Sequence, residues 1–117
     1  CRINAERPEA GFMPSPGEIT DWRPPIAPYI RLESHCFQNY RVPVNYDSMI
    51  AKLVVYGRDR PQAIRRMQHA LSQFTIGGIE TTVEFQHRLI SRSHFIDGRM
   101  NTRLVDEIVA QSKEGAP

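Results

Sequence analysis

Val42-Pro43-Val44-Asn45-Tyr46-Asp47-Ser48-Met49-Ile50-Ala51-Lys52-Leu53-Val54-Val55-Tyr56-Gly57 is the stretch that decides the fold. Its second half, Met49 to Tyr56, is apolar at every position but Lys52 and is stopped by a glycine. Eight residues with several β-branched or aromatic members fit a strand covered on both faces better than a helix. Before this strand the chain reads as strands and turns; after it the pattern turns helical. The expected fold class is therefore α+β, with antiparallel strands in the N-terminal half packed against helices in the C-terminal half.

Working outward, Cys1 to Glu6 alternates, with Ile3 and Ala5 on one side and Arg2, Asn4 and Glu6 on the other, the period of a half-buried strand. Glu18 to Trp22, Tyr29 to Ser34 and Tyr40 to Val44 read as further short strands. Gln38-Asn39 reads as a turn, because Asn tolerates positive φ. The Pro24-Pro25-Ile26-Ala27-Pro28 segment can be neither helix nor central strand. Downstream, Asp59 is a helix N-cap, with Pro61 in the first turn and Gln62 three residues on. That helix buries Ala63, Ile64, Met67, Ala70, Leu71 and Phe74 and is expected to end at Gly77-Gly78. Thr81-Thr82-Val83-Glu84 reads as a capping box opening a second helix that packs Val83, Phe85, Leu89 and Ile90. A last helix starts near Asn101 or Thr102 and offers Leu104, Val105, Ile108 and Val109.

At 117 residues this is one domain, expected over 1–111, with a polar tail over 112–117. A net charge of +2 is too small to argue for nucleic acid, and no run nears the ~18 apolar residues a membrane span needs. No signal peptide is visible and a cytoplasmic location is the default. Only Lys52 and Lys113 are lysines, so arginine supplies 13 of the 15 basic residues, a bias suited to bidentate contacts at interfaces. Cys1 and Cys36 lack metal-ligand spacing, and His35, His69, His87 and His94 are scattered, so no metal site is expected. Arg58, Arg60, Arg65, Arg66 and His69 could form a basic patch, but no aromatic stacking strand accompanies it. The chain opens on Cys1 in what reads as mid-strand, as a piece of something longer would.

Three residues break local rules: Arg2 lies in a strand beside Ile3, Asp47 precedes an apolar strand and Lys52 sits inside one. For Asp47 the plain reading is a turn cap, and for Lys52 a snorkelling or paired lysine. Residues and spacing alone reach an α+β domain of a larger protein.

The motifs go further. Cys1-Arg2-Ile3-Asn4-Ala5-Glu6, Phe12-Met13-Pro14-Ser15-Pro16-Gly17-Glu18-Ile19, Arg31-Leu32-Glu33-Ser34-His35, Tyr46-Asp47-Ser48-Met49-Ile50-Ala51-Lys52-Leu53 and Ile76-Gly77-Gly78-Ile79 together resemble the C-terminal domain of biotin carboxylase. The resemblance runs in order from Cys1 to about Val109. It implies ATP- and bicarbonate-dependent carboxylation of biotin held on a carrier protein, with Mg2+, as the first half-reaction of an acetyl-CoA or acyl-CoA carboxylase. It further implies that ATP and metal are held mainly by N-terminal and ATP-grasp domains outside this chain, so that the fragment alone is inactive. Other implied partners are the biotin carboxyl carrier, the carboxyltransferase and a second copy in a homodimer; no nucleic acid and no membrane are implied. Arg2 falls on the family's active-site arginine, which holds the ureido oxygen of biotin. Arg31 falls on a dimer-interface position, and Asp47 and Arg66 are candidate inter-domain or subunit contacts. The chain departs from the family at Pro24–Pro28, where a glycine-rich stretch is usual, and at Asn39, where glycine is usual. The rival readings are a non-catalytic subunit-interaction module and, more weakly, an arginine-rich nucleic-acid binder.

Overall fold

The structure, a computed structural model, describes residues 1–44, 47–98 and 103–114, without the side chains of 94 and 111–114. The strands are β1 (Arg2–Asn4), β2 (Glu6–Arg7), β3 (Met13–Pro14), β4 (Gly17–Glu18), β5 (Asp21–Arg23), β6 (Ile30–Ser34), β7 (Arg41–Val42), β8 (Met49–Val55) and β9 (Thr75–Gly77). The helices are α1 (Arg60–Ser72), α2 (Val83–Ile90), α3 (Ser93–Ile96) and α4 (Leu104–Glu114), and Pro8–Ala10 forms a 3-10 turn. The α+β expectation holds, with antiparallel strands first and most helix last.

β8 is the middle of a three-stranded antiparallel sheet in the order β1-β8-β6. Its register pairs Arg2 with Lys52 and Ile3 with Ala51 on one side, and Leu32 with Leu53 and Glu33 with Lys52 on the other. The inner face carries Ile3, Ala51 and Leu53, all at most 2% exposed, and α1 packs behind β8. The outer face is not covered along its whole length, contrary to the sequence expectation. Lys52 is exposed, Val54 is 48% exposed, and Tyr56 beyond the strand end is 72% exposed. One bulge lies between Ile3 and Asn4, where the register skips Ile50. Bulges re-aim side chains, and here the sequence neighbours Ile50 and Ala51 are both buried.

The turn from α1 to α2 differs from expectation. α1 ends at Ser72, capped by Gln73 in helical geometry rather than by a glycine. Thr75-Ile76-Gly77 leaves it as β9 and pairs antiparallel with β5, Trp22 opposite Ile76. The β-branched pair Thr75-Ile76 and the stacking of Phe74 edge-on to Trp22, centroids 5.3 Å apart, outweigh a longer helix. Gly78 has φ +93°, and a Cβ there would lie 2.2 Å from the carbonyl oxygen of Glu18. That glycine is therefore required by a close backbone crossing, and not as a helix stop.

Asp59 caps α1 as expected, its Oδ1 accepting from the Gln62 amide at 2.8 Å. Ile64, Ala70, Leu71 and Phe74 are buried from that segment. Phe85, Leu104 and Ile108 build a second cluster between α2 and α4. The expected start of the last helix, Asn101 or Thr102, lies outside the described residues; its described part runs to Glu114, past 111. Asn39 has φ +73°, consistent with its turn assignment.

Candidate functional site

β1 is an edge strand in the sheet, yet neither of its hydrogen-bonding edges is open. On the β8 side, Cys1 and Leu53 exchange two backbone hydrogen bonds, of 2.7 and 2.8 Å, and the Ala5 amide donates to Ser48 O at 2.9 Å. On the far side stands the beginning of α2. The Asn4 amide donates to Thr82 Oγ1 at 3.0 Å, and the Thr82 amide donates to Asn4 O at 3.0 Å. Gln86 Nε2 donates to Arg2 O at 3.2 Å. The capping box expected at Thr81–Glu84 is absent as such. Thr82, at the cap position, makes no side-chain cap bond, because its hydroxyl is committed to β1; Thr81 Oγ1 accepts from the Val83 amide at 3.4 Å.

The alternation of β1 turns Ile3 into the core and sets Arg2 on the outer face, exposed. Arg2 Nε lies 3.3 Å from Met49 Sδ, a weak acceptor. Among the described residues the guanidinium has no carboxylate partner. Beside it in register is Lys52, and across Lys52 is Glu33. Arg31 shares that face, opposite Val54, and ion-pairs with Glu33; both are well exposed, so the pair contributes roughly 0–1 kcal/mol. Arg2 and Arg31 thus look out from one rigid sheet, two strand spacings or roughly 10 Å apart across it.

The other two sequence candidates fall at opposite ends of β8. Asp47 Oδ1 accepts from the Met49 amide at 3.0 Å, the turn cap that its type suggests. Arg66 lies over the Tyr29 ring at 4.4 Å and donates to Tyr56 O at 2.9 Å. It therefore clamps α1 to the far ends of β6 and β8. Seven strand residues run from Met49 to Val55, roughly 23 Å of strand, and separate the Arg66 clamp from Asp47.

Three of the five basic residues grouped in the sequence have local partners. Arg60 lies 5.0 Å over the Phe95 ring and bonds its carbonyl, Arg58 pairs with Asp59 at 3.7 Å, and Arg66 is held as described. No group of three or more metal-ligating side chains occurs among the described residues. The His94 side chain and Tyr46 lie outside them. Burial pushes the Cys36 thiol above its ordinary pKa, an effect the Ser34 hydroxyl partly offsets. None of the described helices is long and apolar enough to cross a membrane. Sequence reasoning missed Thr82 and Gln86; the spacing of four that joins them on one helix face was visible, but its target was not.

A family model for the biotin carboxylase C-terminal domain matches residues 1–107. The chain is 48% identical over 106 residues to biotin carboxylase 1 of Bacillus subtilis, covering 91% of this chain and 24% of that protein. It is 44% identical over 108 residues to the biotin carboxylase of a Nostoc species, covering 92% and 24%. Among solved structures, it superposes with a TM-score of 0.85 on Campylobacter jejuni biotin carboxylase in a β,γ-ATP complex, at 45% identity, covering 92% of this chain and 24% of that one. The biotin carboxylase domain of a thermophilic 2-oxoglutarate carboxylase bound to bicarbonate gives a TM-score of 0.88 at 38% identity, covering 92% and 24%. The chain spans about a quarter of the length of these relatives. With the match running through β1, β8 and α2, this chain belongs to the biotin carboxylase C-terminal domain family.

Proposed function

We propose that this chain supplies Arg2 to the active site of a biotin carboxylase, the enzyme that joins bicarbonate-derived carboxyl to carrier-bound biotin at the cost of ATP. The observation that carries this reading is the state of Arg2: exposed on the outer face, on a strand hydrogen-bonded along both edges, with no carboxylate neutralising it among the described residues. A guanidinium stays protonated at any working pH and presents planar donors, so it can hold an oxygen that gains negative charge without giving up a proton. The ureido oxygen of biotin is such an oxygen when its neighbouring nitrogen is deprotonated. ATP, bicarbonate and Mg2+ supply the activated carboxyl when bound, and we assign their binding mainly to the N-terminal and ATP-grasp domains of the full-length protein. The fragment alone is then inactive. Arg31 and the exposed face around it serve the homodimer in this reading, and Asp47, exposed at the β8 entry, is a further contact to another domain or subunit. The carrier and a carboxyltransferase complete the system, with acetyl-CoA or another acyl-CoA as the final acceptor.

Removing a preorganised donor to a developing oxyanion costs about 3–4 kcal/mol of transition-state stabilisation. The full-length Arg2→Ala enzyme should therefore fold normally and lose biotin carboxylation by about a hundredfold or more. Near-normal carboxylation by that variant would remove Arg2 from the mechanism.

A further inference from the structure

The two bonds that α2 makes to β1 are matched in spacing. Thr82 and Gln86 are four residues apart, one turn on one helix face, a rise of about 6 Å. Arg2 and Asn4 are two residues apart in a strand, about 6.6 Å, and their backbone groups point to the same edge. Thr82 takes Asn4 through both its amide and its hydroxyl, and Gln86 takes the carbonyl of Arg2. One turn of helix thus stands where a neighbouring strand would otherwise continue the ladder. The backbone of Gln86 is held in the helix, its backbone N–H donating to Thr82 O at 2.8 Å. The outer edge of an unpaired strand is ordinarily free to fray or shift.

We infer that Gln86, supported by Thr82, is a positioning residue for Arg2: its side-chain amide fixes the Arg2 peptide, and so the origin of the guanidinium, from the edge that β8 does not reach. This rests on the reading of Arg2 given above. Gln86 touches neither substrate nor reacting atoms. Its effect runs through placement, and a displacement near 1 Å can cost about a hundredfold in rate.

The test is a double-variant cycle in the full-length enzyme, reading kcat and KM for biotin-dependent ATP hydrolysis. Gln86→Leu should lower kcat about tenfold while leaving KM for biotin within about twofold. In an Arg2→Ala background the same change should cost nothing further, since the residue it positions is gone. Gln86→Lys, which can still donate to the Arg2 carbonyl, should recover most of the kcat lost in Gln86→Leu. Gln86→Glu, equal in shape and without a donor at neutral pH, should behave like Gln86→Leu and replaces it if that variant misfolds. Full activity in a folded Gln86→Leu or Gln86→Glu enzyme overturns the inference, as do losses that multiply in the double variant. If Arg2→Ala alone retains activity, the reading of Arg2 fails and the positioning role falls with it; a crippled Arg2→Ala beside a normal Gln86→Leu rejects the positioning role alone.

Discussion

Thr82→Val separates two roles for one hydroxyl. Valine keeps the shape of threonine and removes the oxygen, at a position only 3% exposed. If Thr82 closes the edge of β1, the change leaves the Asn4 amide without its 3.0 Å acceptor in a half-buried setting. An unsatisfied donor of this kind costs about 1–3 kcal/mol. The amide of Thr82 still donates to Asn4 O, so β1 should stay attached and the fold should survive. In a domain of this size the loss corresponds to a fall in Tm of about 4 °C per kcal/mol. The sharper measurement is amide hydrogen exchange. Asn4 should exchange roughly 30-fold faster for a local loss near 2 kcal/mol, while the first-turn amides of α2 change little. The opposite pattern, with α2 amides released and Asn4 still protected, would show that the hydroxyl caps the helix after all and would refute the edge-closing account.

Other expectations follow from the same structure. Leu53→Ala, at a fully buried position of the central strand, should destabilise by about 2–5 kcal/mol in urea unfolding. Gly78→Ala combines a φ of +93° with an overlap against Glu18 O and should cost about 1–3 kcal/mol or more, read as a lower Tm; an unchanged Tm would mean that β5 and β9 can separate freely. Arg66→Met should weaken the attachment of α1 to the ends of β6 and β8 by about 1 kcal/mol while leaving carboxylation by the full-length enzyme intact. Cys36 has its thiol pKa raised chiefly by burial, so its contribution to stability is fully present below the ordinary thiol pKa and is lost as pH rises through the higher folded value. Unfolding measured as pH rises past the ordinary thiol pKa should show that loss, and Cys36→Ser should abolish it.

Much of the fold was legible in the chain because periodicity and punctuation are local signals. Met49–Val55, the Asp59 cap and the burial of Ile3, Ala5 and Ile64 could all be read from neighbours in sequence. What escaped depends on remote partners. Thr75-Ile76-Gly77 could be known as a strand only from β5, more than fifty residues earlier, and the glycines behind it imitate a helix stop. The capping box Thr81–Glu84 is a local signal, yet the structure caps α2 at Thr82, whose hydroxyl goes instead to Asn4. The site followed the same division. Arg2 and Arg31 stood out through family motifs, whereas Gln86, an ordinary residue on a helix, gains meaning only from the carbonyl it meets. The mixed cover of β8 was misread because Val54 and Tyr56 are apolar and yet face outward.

The closure of β1 by α2 also sets an order of events in synthesis. Its contacts reach 52 residues forward to Leu53, 78 to Thr82 and 84 to Gln86. Pairings this far apart in sequence raise contact order and slow folding. At roughly 5–20 residues per second, the first strand waits about 4–17 s on the ribosome for its last partner to be made. Until Leu53 is made both edges of β1 lack their partners, and from then until Gln86 is made the edge away from β8 stays open to mispairing. The residue proposed to carry the chemistry is therefore made 84 residues before the side chain that holds its carbonyl.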